Sequence, residues 1–322
     1  MENLIITRKQ IEQAITYPEI IQAMEEAFYN YSQGKSVVPP VGNLNLEKAG
    51  GEVHIKSGFI KDDDYYVVKI ASHFKGNRER GIPPGNGVML LFCQNTGKLV
   101  AILHDEGYLT DLRTAAAGAL VARVLAPQKI NSIGIVGTGR QAFLQLALLK
   151  EVTDCRDVIV FGRSKERVKE FGARCELKGF TIHPSTSLKQ LAASCNLIVT
   201  TTSADRPLIM AEDVREGTHI TGVGADSPGK QELDPALFKR ASVVAVDSRS
   251  QCFQFGDTAH ALQRGMISED DVVEIGDILA DASLGRRSEG DITIADLTGV
   301  AVQDMAAARL VYHKVIKGAC IA

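Results

Sequence analysis

The residues of this sequence that could do chemistry begin with Gly137-Thr138-Gly139-Arg140-Gln141-Ala142. They directly follow the apolar run Ile133–Val136 and open a stretch carrying Phe143, Leu144, Leu146 and Leu149 at helical spacing. Strand, glycine turn and helix in that order make a phosphate cradle. The first glycine permits the tight turn, the second lets backbone N–H groups approach a pyrophosphate at the helix N-terminus, and Ala142 is small enough for close helix–strand packing. A dinucleotide is therefore expected on Gly137, Thr138, Gly139, Arg140 and Gln141. The next strand, where an acid normally holds the ribose hydroxyls of NAD, ends in Phe161-Gly162-Arg163-Ser164-Lys165. Arg163 and Ser164, with Lys165, suit a 2′-phosphate, so NADP(H) is favoured within an NAD(P)(H) site. A solvated basic helix start reads almost as well. Thr201, Thr202, Val223 and Gly299 complete the cofactor-binding candidates.

A second group of residues suits a small acidic ligand. Lys69 interrupts the apolar strand Tyr65-Tyr66-Val67-Val68-Lys69-Ile70, where a charge is expensive unless it is paired or functional. Desolvation would lower its pKa and permit proton transfer, while snorkelling at a strand edge is the bland alternative. Arg113 is expected at the start of an Ala-rich helix, where guanidinium and helix N-terminus could grip a carboxylate together. A lone arginine at such a place is more often an exposed helix side chain. Asp226 follows the strand His219–Val223 and so falls at the carboxyl edge of a parallel sheet, although Asp-Ser-Pro-Gly is also a good turn. His54 and Lys56 stand two apart on a strand and share one face, either a pocket wall or an exposed polar face.

The elements that must position these groups follow from periodicity. Pro18 with Ile20, Ile21, Met24, Ala27, Phe28 and Tyr31 marks an amphipathic helix that stops at Gly34. From Glu52 to His104 short β-rich runs (Tyr65–Ile70, Val88–Phe92, Leu99–His104) predict a largely antiparallel sheet, with a hairpin turn at Asn95–Lys98. Thr110–Leu125 is a long helix closed by Pro127. From Ile130 to about Asp247, strand-like runs (Ser132–Val136, Val158–Phe161, Phe180–His183, Leu197–Thr201, His219–Val223, Val243–Val246) alternate with helical segments, the pattern of a parallel α/β sheet.

Composition narrows the partners. The 322 residues carry 36 Lys+Arg against 39 Asp+Glu, a net charge of −3, with 45% hydrophobic residues. That is an ordinary globular chain with no basic excess for nucleic acid or an anionic membrane. Apolar runs are far shorter than the roughly 18 residues that span a bilayer. Residues 1–30 lack the basic and apolar regions of a leader, so a cytoplasmic location is expected. Six scattered cysteines (Cys93, Cys155, Cys175, Cys195, Cys252, Cys320) offer no metal or redox motif, and no metal is expected.

Four ordered motifs then make the chain resemble the ornithine cyclodeaminase/mu-crystallin family over nearly its whole length. They are Leu109-Thr110-Asp111-Leu112-Arg113-Thr114-Ala115-Ala116-Ala117, the Gly137 loop, Gly222-Val223-Gly224-Ala225-Asp226-Ser227-Pro228-Gly229-Lys230-Gln231-Glu232-Leu233, and Leu297-Thr298-Gly299-Val300-Ala301. The resemblance implies an α/β fold in which a Rossmann-type doubly wound parallel sheet is inserted in a second, α+β domain for substrate binding and dimerisation. Residues 1–115 plus 297–322 would form that second domain and residues 116–296 the dinucleotide-binding one. It also implies hydride exchange between NAD(P) and the α-carbon of an amino or imino acid, and a homodimer. By the same resemblance Arg113 binds the substrate α-carboxylate, Lys69 lies beside that carboxylate and the reactive carbon, and Asp226 is the acid/base at the substrate nitrogen or a water. Mu-crystallins depart from this Asp. Cyclodeaminases have a Glu near His54 for a distal amino group, where this sequence offers His54 and Lys56.

The expected function is an NAD(P)-dependent imine reductase or amino-acid dehydrogenase acting on a small imino acid, with His54 and Lys56 pointing to an acidic one. An ornithine-type cyclodeaminase and an NADP-dependent ligand-binding protein are the alternatives.

Overall fold

The computed structural model describes residues 4–319; Met1–Asn3 and Cys320–Ala322 lie outside the described residues. The chain divides into two compact units, Met1–Arg113 with Val300–Ala322, and Thr114–Gly299.

In the first unit, seven strands form one sheet. Leu4–Thr7, Leu99–His104, Gly85–Cys93, Tyr65–Phe74, Gly51–Ile60 and Ser36–Val37 follow one another across it, and Gly42–Leu46 also pairs with Gly51–Ile60. Every pairing is antiparallel except the first, in which Leu4–Thr7 runs parallel to Leu99–His104. The helix Tyr17–Ser32 starts at Thr16, whose side chain forms a capping box with Glu19, so Pro18 takes the second helical position rather than the first. Its Ile20, Ile21, Met24, Ala27 and Phe28 are buried, as their spacing requires. The C-terminal helix Ala301–Ala319 packs against it and against the sheet. Alternation along the strands sends Val67, Lys69, Met89 and Leu91 to the buried side of the sheet. One buried charge thus stands among apolar neighbours.

The second unit holds an eight-stranded parallel sheet. Its order is Thr181–Ser185, Asp157–Phe161, Ile133–Val136, Leu197–Thr200, His219–Gly222, Thr293–Asp296, Val243–Val246 and Val272–Glu274. The central strands are buried on both faces and read as continuous apolar runs, with Val136, Ile198, Ile220, Val244 and Ile294 in one core. Strand order reverses between Ile133–Val136 and Leu197–Thr200, which creates the crevice where such sheets bind ligands. Several boundaries differ from the sequence reading by one or two residues: the edge strand starts at Thr181, one residue after Phe180, and runs to Ser185, and the runs Ser132–Val136, Val158–Phe161, Leu197–Thr201 and His219–Val223 are the strands Ile133–Val136, Asp157–Phe161, Leu197–Thr200 and His219–Gly222. The central strand Thr293–Asp296 is absent from that reading because its two polar ends hide a fully buried segment.

Among the described residues no group of His, Cys, Asp or Glu could hold a metal ion, and no helix is long and apolar enough to cross a membrane. The five described cysteines are free thiols.

Candidate functional site

The glycine loop sits where the strand order reverses. Gly137 has φ +118°, and a Cβ there would stand 2.6 Å from the Thr201 hydroxyl, so only glycine lets the two loops meet. Thr201 fastens the same contact, its backbone N–H and hydroxyl both donating to Val136 O at 2.9 and 3.2 Å. Gly139 caps the helix Arg140–Leu149, and a Cβ on it would meet nothing within 4 Å. That open space in front of the N-terminus of a ten-residue helix, where the helix dipole favours an anion, fits a pyrophosphate. Val223 N–H donates to Thr200 O at 3.0 Å, which ties the ends of the two neighbouring strands. Gly299, with φ +80°, donates its N–H to Asp247 Oδ2 at 2.6 Å.

At the ribose end, Gly162 lacks an acid for a steric reason. A Cβ there would come within 2.8 Å of Thr138 Cγ2 and 2.9 Å of Val168 Cγ2. Ser164 is already committed. It caps the helix Lys165–Glu176 by accepting from Arg167 N–H at 3.3 Å and donates to Glu166 Oε2 at 2.8 Å. The backbone N–H of Glu166 and the Ser164 hydroxyl hold the Glu166 carboxyl below its usual range. A charged acid therefore stands in the turn that also carries Arg163 and Lys165.

The second group gathers around a residue the sequence reading missed, Asp304. Lys69 Nζ lies 2.6 Å from Asp304 Oδ2, and Arg113 Nε donates to Asp304 Oδ1 at 2.9 Å. Arg113 Nη1 donates to Gln303 Oε1 at 3.1 Å, and Gln303 Oε1 also accepts from Val300 N–H at 2.8 Å. All three ionic side chains are at most 4% exposed. Asp304 lies in the first turn of the helix Ala301–Ala319, where the helix dipole favours an anion. Arg113, expected at a helix start, is instead in the second turn of Tyr108–Leu125, because Asp105 Oδ2 takes the Leu109 N–H and starts the helix earlier. The carboxylate it grips belongs to the protein.

Lys56 stands directly opposite Lys69 in the strand register, on the same face. Like charges so placed repel, and only an anion offsets them. Burial pushes the Lys69 ammonium down to about 7; Arg113 and Lys56 add to this and Asp304 opposes it. Burial alone would raise the Asp304 carboxyl, but Arg113 and Lys69 outweigh it and hold the group below its usual value. Lys69 and Arg113 thus share the one carboxylate of Asp304. His54, on the same strand face, bonds through Nδ1 to Asn43 Oδ1 at 2.7 Å, with Glu52 Oε2 at 3.9 Å from its Nε2. That face therefore runs from acidic at Glu52 to basic at Lys56, rather than being basic throughout.

Asp226 lies just past the strand His219–Gly222, in a turn where Oδ1 accepts from Lys230 Nζ at 2.6 Å and from the Ser227 hydroxyl at 3.1 Å. Its side chain is half exposed. The candidate residues thus form two sets: the glycine loop, Arg163, Ser164, Thr201, Thr202, Val223, Asp226 and Gly299 in the second unit, and Lys56, Lys69, His54 and Arg113 in the first. Asp304 did carry a sequence signal, an acid that with Gln303 interrupts the otherwise apolar run Ala301–Ala308 and so asks for a buried partner.

Comparison with known proteins gives this geometry a family. The ornithine cyclodeaminase/mu-crystallin family model matches residues 1–319. The chain belongs to this family. An alanine dehydrogenase of Archaeoglobus fulgidus is 38% identical over 317 residues, 98% of this chain and 96% of that protein. An archaeal alanine dehydrogenase dimer with bound NAD superposes with a TM-score of 0.91 at 35% identity, over 99% of this chain and 97% of that one. The iminosuccinate reductase of Paracoccus denitrificans, in complex with NAD+, does so with a TM-score of 0.89 at 30% identity, over 99% and 98% of the two chains. The α/β fold class expected from the sequence is the one these family members share.

The buried cluster has a measurable signature. Asp304→Asn leaves two buried cations without their anion and is expected to lower stability by about 3–5 kcal/mol in chemical denaturation. Lys69→Met leaves Arg113 and Asp304 as a neutral pair and is expected to cost less; equal losses would show that Asp304 is not their shared counter-ion.

Proposed function

We propose that the protein is an NAD(P)-dependent imine reductase or amino-acid dehydrogenase that reduces a small imino acid to the L-amino acid, or runs the reverse. The observation that carries this reading is the buried cluster of Lys69 and Arg113 around the single carboxylate of Asp304. Two cations sharing one carboxylate suit a substrate α-carboxylate, bound by charge-assisted hydrogen bonds. Relatives named as alanine dehydrogenase and iminosuccinate reductase support the reaction class.

When bound, the nicotinamide supplies or accepts the hydride at the α-carbon. The chain's own residues do the rest. Arg113 and Lys69 orient the carboxylate, and an arriving anion raises the pKa of Lys69, so the ammonium is kept while substrate is present. Asp226 in its protonated form gives its proton to the imine nitrogen during reduction, and as the carboxylate that Lys230 holds it takes one from the amine nitrogen in the reverse direction. The glycine loop and the helix Arg140–Leu149 hold the pyrophosphate.

Homodimer formation belongs to the same reading. The outer face of the first unit's sheet carries Ile55, Phe59, Tyr66, Val68, Ile70 and Phe92 in register, with the Tyr66 and Phe92 rings stacked at 4.9 Å. An apolar sheet face of this kind suits a second copy of the chain. A cytoplasmic location is also part of the reading and accords with the free thiols. The finer preference for NADP(H) rests on Arg163 and Lys165, with Glu166 working against it.

Cofactor absorbance tests the whole proposal. Imines formed from 2-oxo acids and ammonia should oxidise NAD(P)H in net turnover. Ammonia release from a diamino acid at constant absorbance would replace the reading with cyclodeamination, and cofactor binding without turnover would replace it with a binding protein. Asp226→Asn should lower single-turnover hydride transfer by about 100-fold or more while cofactor affinity survives, since the amide keeps the shape but cannot exchange the proton. Near-normal rates would remove Asp226 from the mechanism.

Lys56 is assigned to a second carboxylate of the substrate. Lys56→Met is expected to lower kcat/KM for a 2-imino dicarboxylate about 10-fold more than for a 2-imino monocarboxylate. Equal losses, or ornithine as the best substrate of the unmodified protein, would refute that role. For the cofactor, fluorescence titration should show that Arg163→Ala lowers the NADPH/NADH affinity ratio and that Glu166→Gln, which removes an opposing charge, raises it. A ratio unmoved by both variants would place the 2′-position elsewhere.

A further inference from the structure

Glu232 lies on the short strand Gln231–Leu233, just beyond the turn that carries Asp226, and none of its surface is exposed. Its carboxylate accepts four hydrogen bonds, all from neutral groups. Oε1 takes the Thr202 backbone N–H at 2.6 Å and the Thr202 hydroxyl at 2.7 Å. Oε2 takes the Thr200 hydroxyl at 2.7 Å and the Gly224 backbone N–H at 2.8 Å. A buried carboxylate is costly to keep, and an apolar side chain in its place would leave the Thr202 and Gly224 backbone N–H groups without this acceptor. What the carboxylate does that an apolar group cannot is bind two loops to one point.

Those loops are the ends of neighbouring strands at the sheet's carboxyl edge. One follows Leu197–Thr200 and carries Thr201 and Thr202; the other follows His219–Gly222 and leads from Gly224 to Asp226. They touch so closely that a Cβ on Gly224 would run into the Thr202 carbonyl oxygen and stand 2.6 Å from Glu232 Oε2. The backbone of Glu232 is itself anchored, since its N–H and that of Leu233 donate to Asp257 Oδ1 at 2.8 and 2.9 Å. The Asp226 turn is then closed at its base by Glu232 and Gly224, crossed by the Lys230–Asp226 ion pair, and held outside by His260 Nε2 donating to Lys230 O at 3.0 Å.

We propose that Glu232 is a positioning residue of the reaction: its one carboxylate fixes the Thr202 loop that faces the cofactor and, through Gly224, the starting point of the Asp226 turn. The inference rests on the imine reductase reading, because only that reading gives Asp226 a reacting atom to face.

Glu232→Gln in the full chain tests it. An amide cannot replace this carboxylate. Whichever way it is turned, its NH2 group faces a backbone N–H, of Thr202 or of Gly224, and a backbone N–H cannot rotate away as a hydroxyl can. The expected result is a fall in kcat of about 10- to 100-fold and a rise in KM for NADH of about 5-fold or more, with KM for the imine unchanged because Arg113 and Lys69 are untouched. A Glu232→Gln protein with native kcat and native KM for NADH, and only a lower melting temperature, would overturn the proposal and leave Glu232 a structural residue. Should that variant not fold, Thr200→Val decides, since it is isosteric and removes one of the four donors. A rise in KM for NADH of about 2- to 5-fold is expected, and wild-type values would overturn the proposal. An unmodified protein that reduces no imine with either cofactor would overturn the functional reading and this inference together, whereas active wild type with an indifferent Glu232→Gln overturns the inference alone.

Discussion

The ion pair of Asp304 with Lys69 and Arg113 is the constraint around which the first unit is arranged. Two cations cannot stay out of water without an anion, so three distant parts of the chain, a strand, a helix and the C-terminal helix, have to meet at that carboxylate. The sheet register then puts Lys56 opposite Lys69, which leaves the cluster still positive. A structure built only for stability would have been completed with a second acid or made apolar. On the proposed function it is a substrate carboxylate that completes this one, so that the contacts holding the unit together would also describe its ligand.

The nucleotide edge of the second unit has the opposite sign. Glu232, Asp247, Asp257 and Asp296 are all at most 1% exposed, and each accepts hydrogen bonds from backbone N–H groups or hydroxyls at loop ends. Burial, together with the neighbouring acids, pushes Asp257 well above its usual value, and burial first of all brings Asp296 up to about 7. Acids are the right tool there, because a carboxylate takes more donors than any other side chain and loop ends offer mostly donors.

Much of this was legible in the sequence wherever periodicity or a short motif carried it. The glycine loop was readable because strand, turn and helix lie within a few residues of each other, and Lys69 because a charge in an apolar strand demands a reason. The partners of those groups were not. Asp304 is separated from Arg113 by 191 residues, and no local pattern reports a contact at that range. Ser164 read as a phosphate ligand because its type is right, yet its hydroxyl is spent on capping a helix that starts one residue later. The strand Thr293–Asp296 escaped notice because its Thr and Asp find buried partners in three dimensions that one dimension hides.

The late position of Asp304 has a consequence for how the molecule comes into being. A ribosome delivers Lys69 and Arg113 long before the helix Ala301–Ala319, and every strand of the nucleotide sheet emerges in between. Through most of synthesis the two cations have no buried anion to meet and must stay hydrated, so the first unit cannot close early. The nucleotide sheet is under no such restraint. The chain is thus made in an order that presents every strand of the eight-stranded sheet before the helix Ala301–Ala319 brings Asp304 to its two cations.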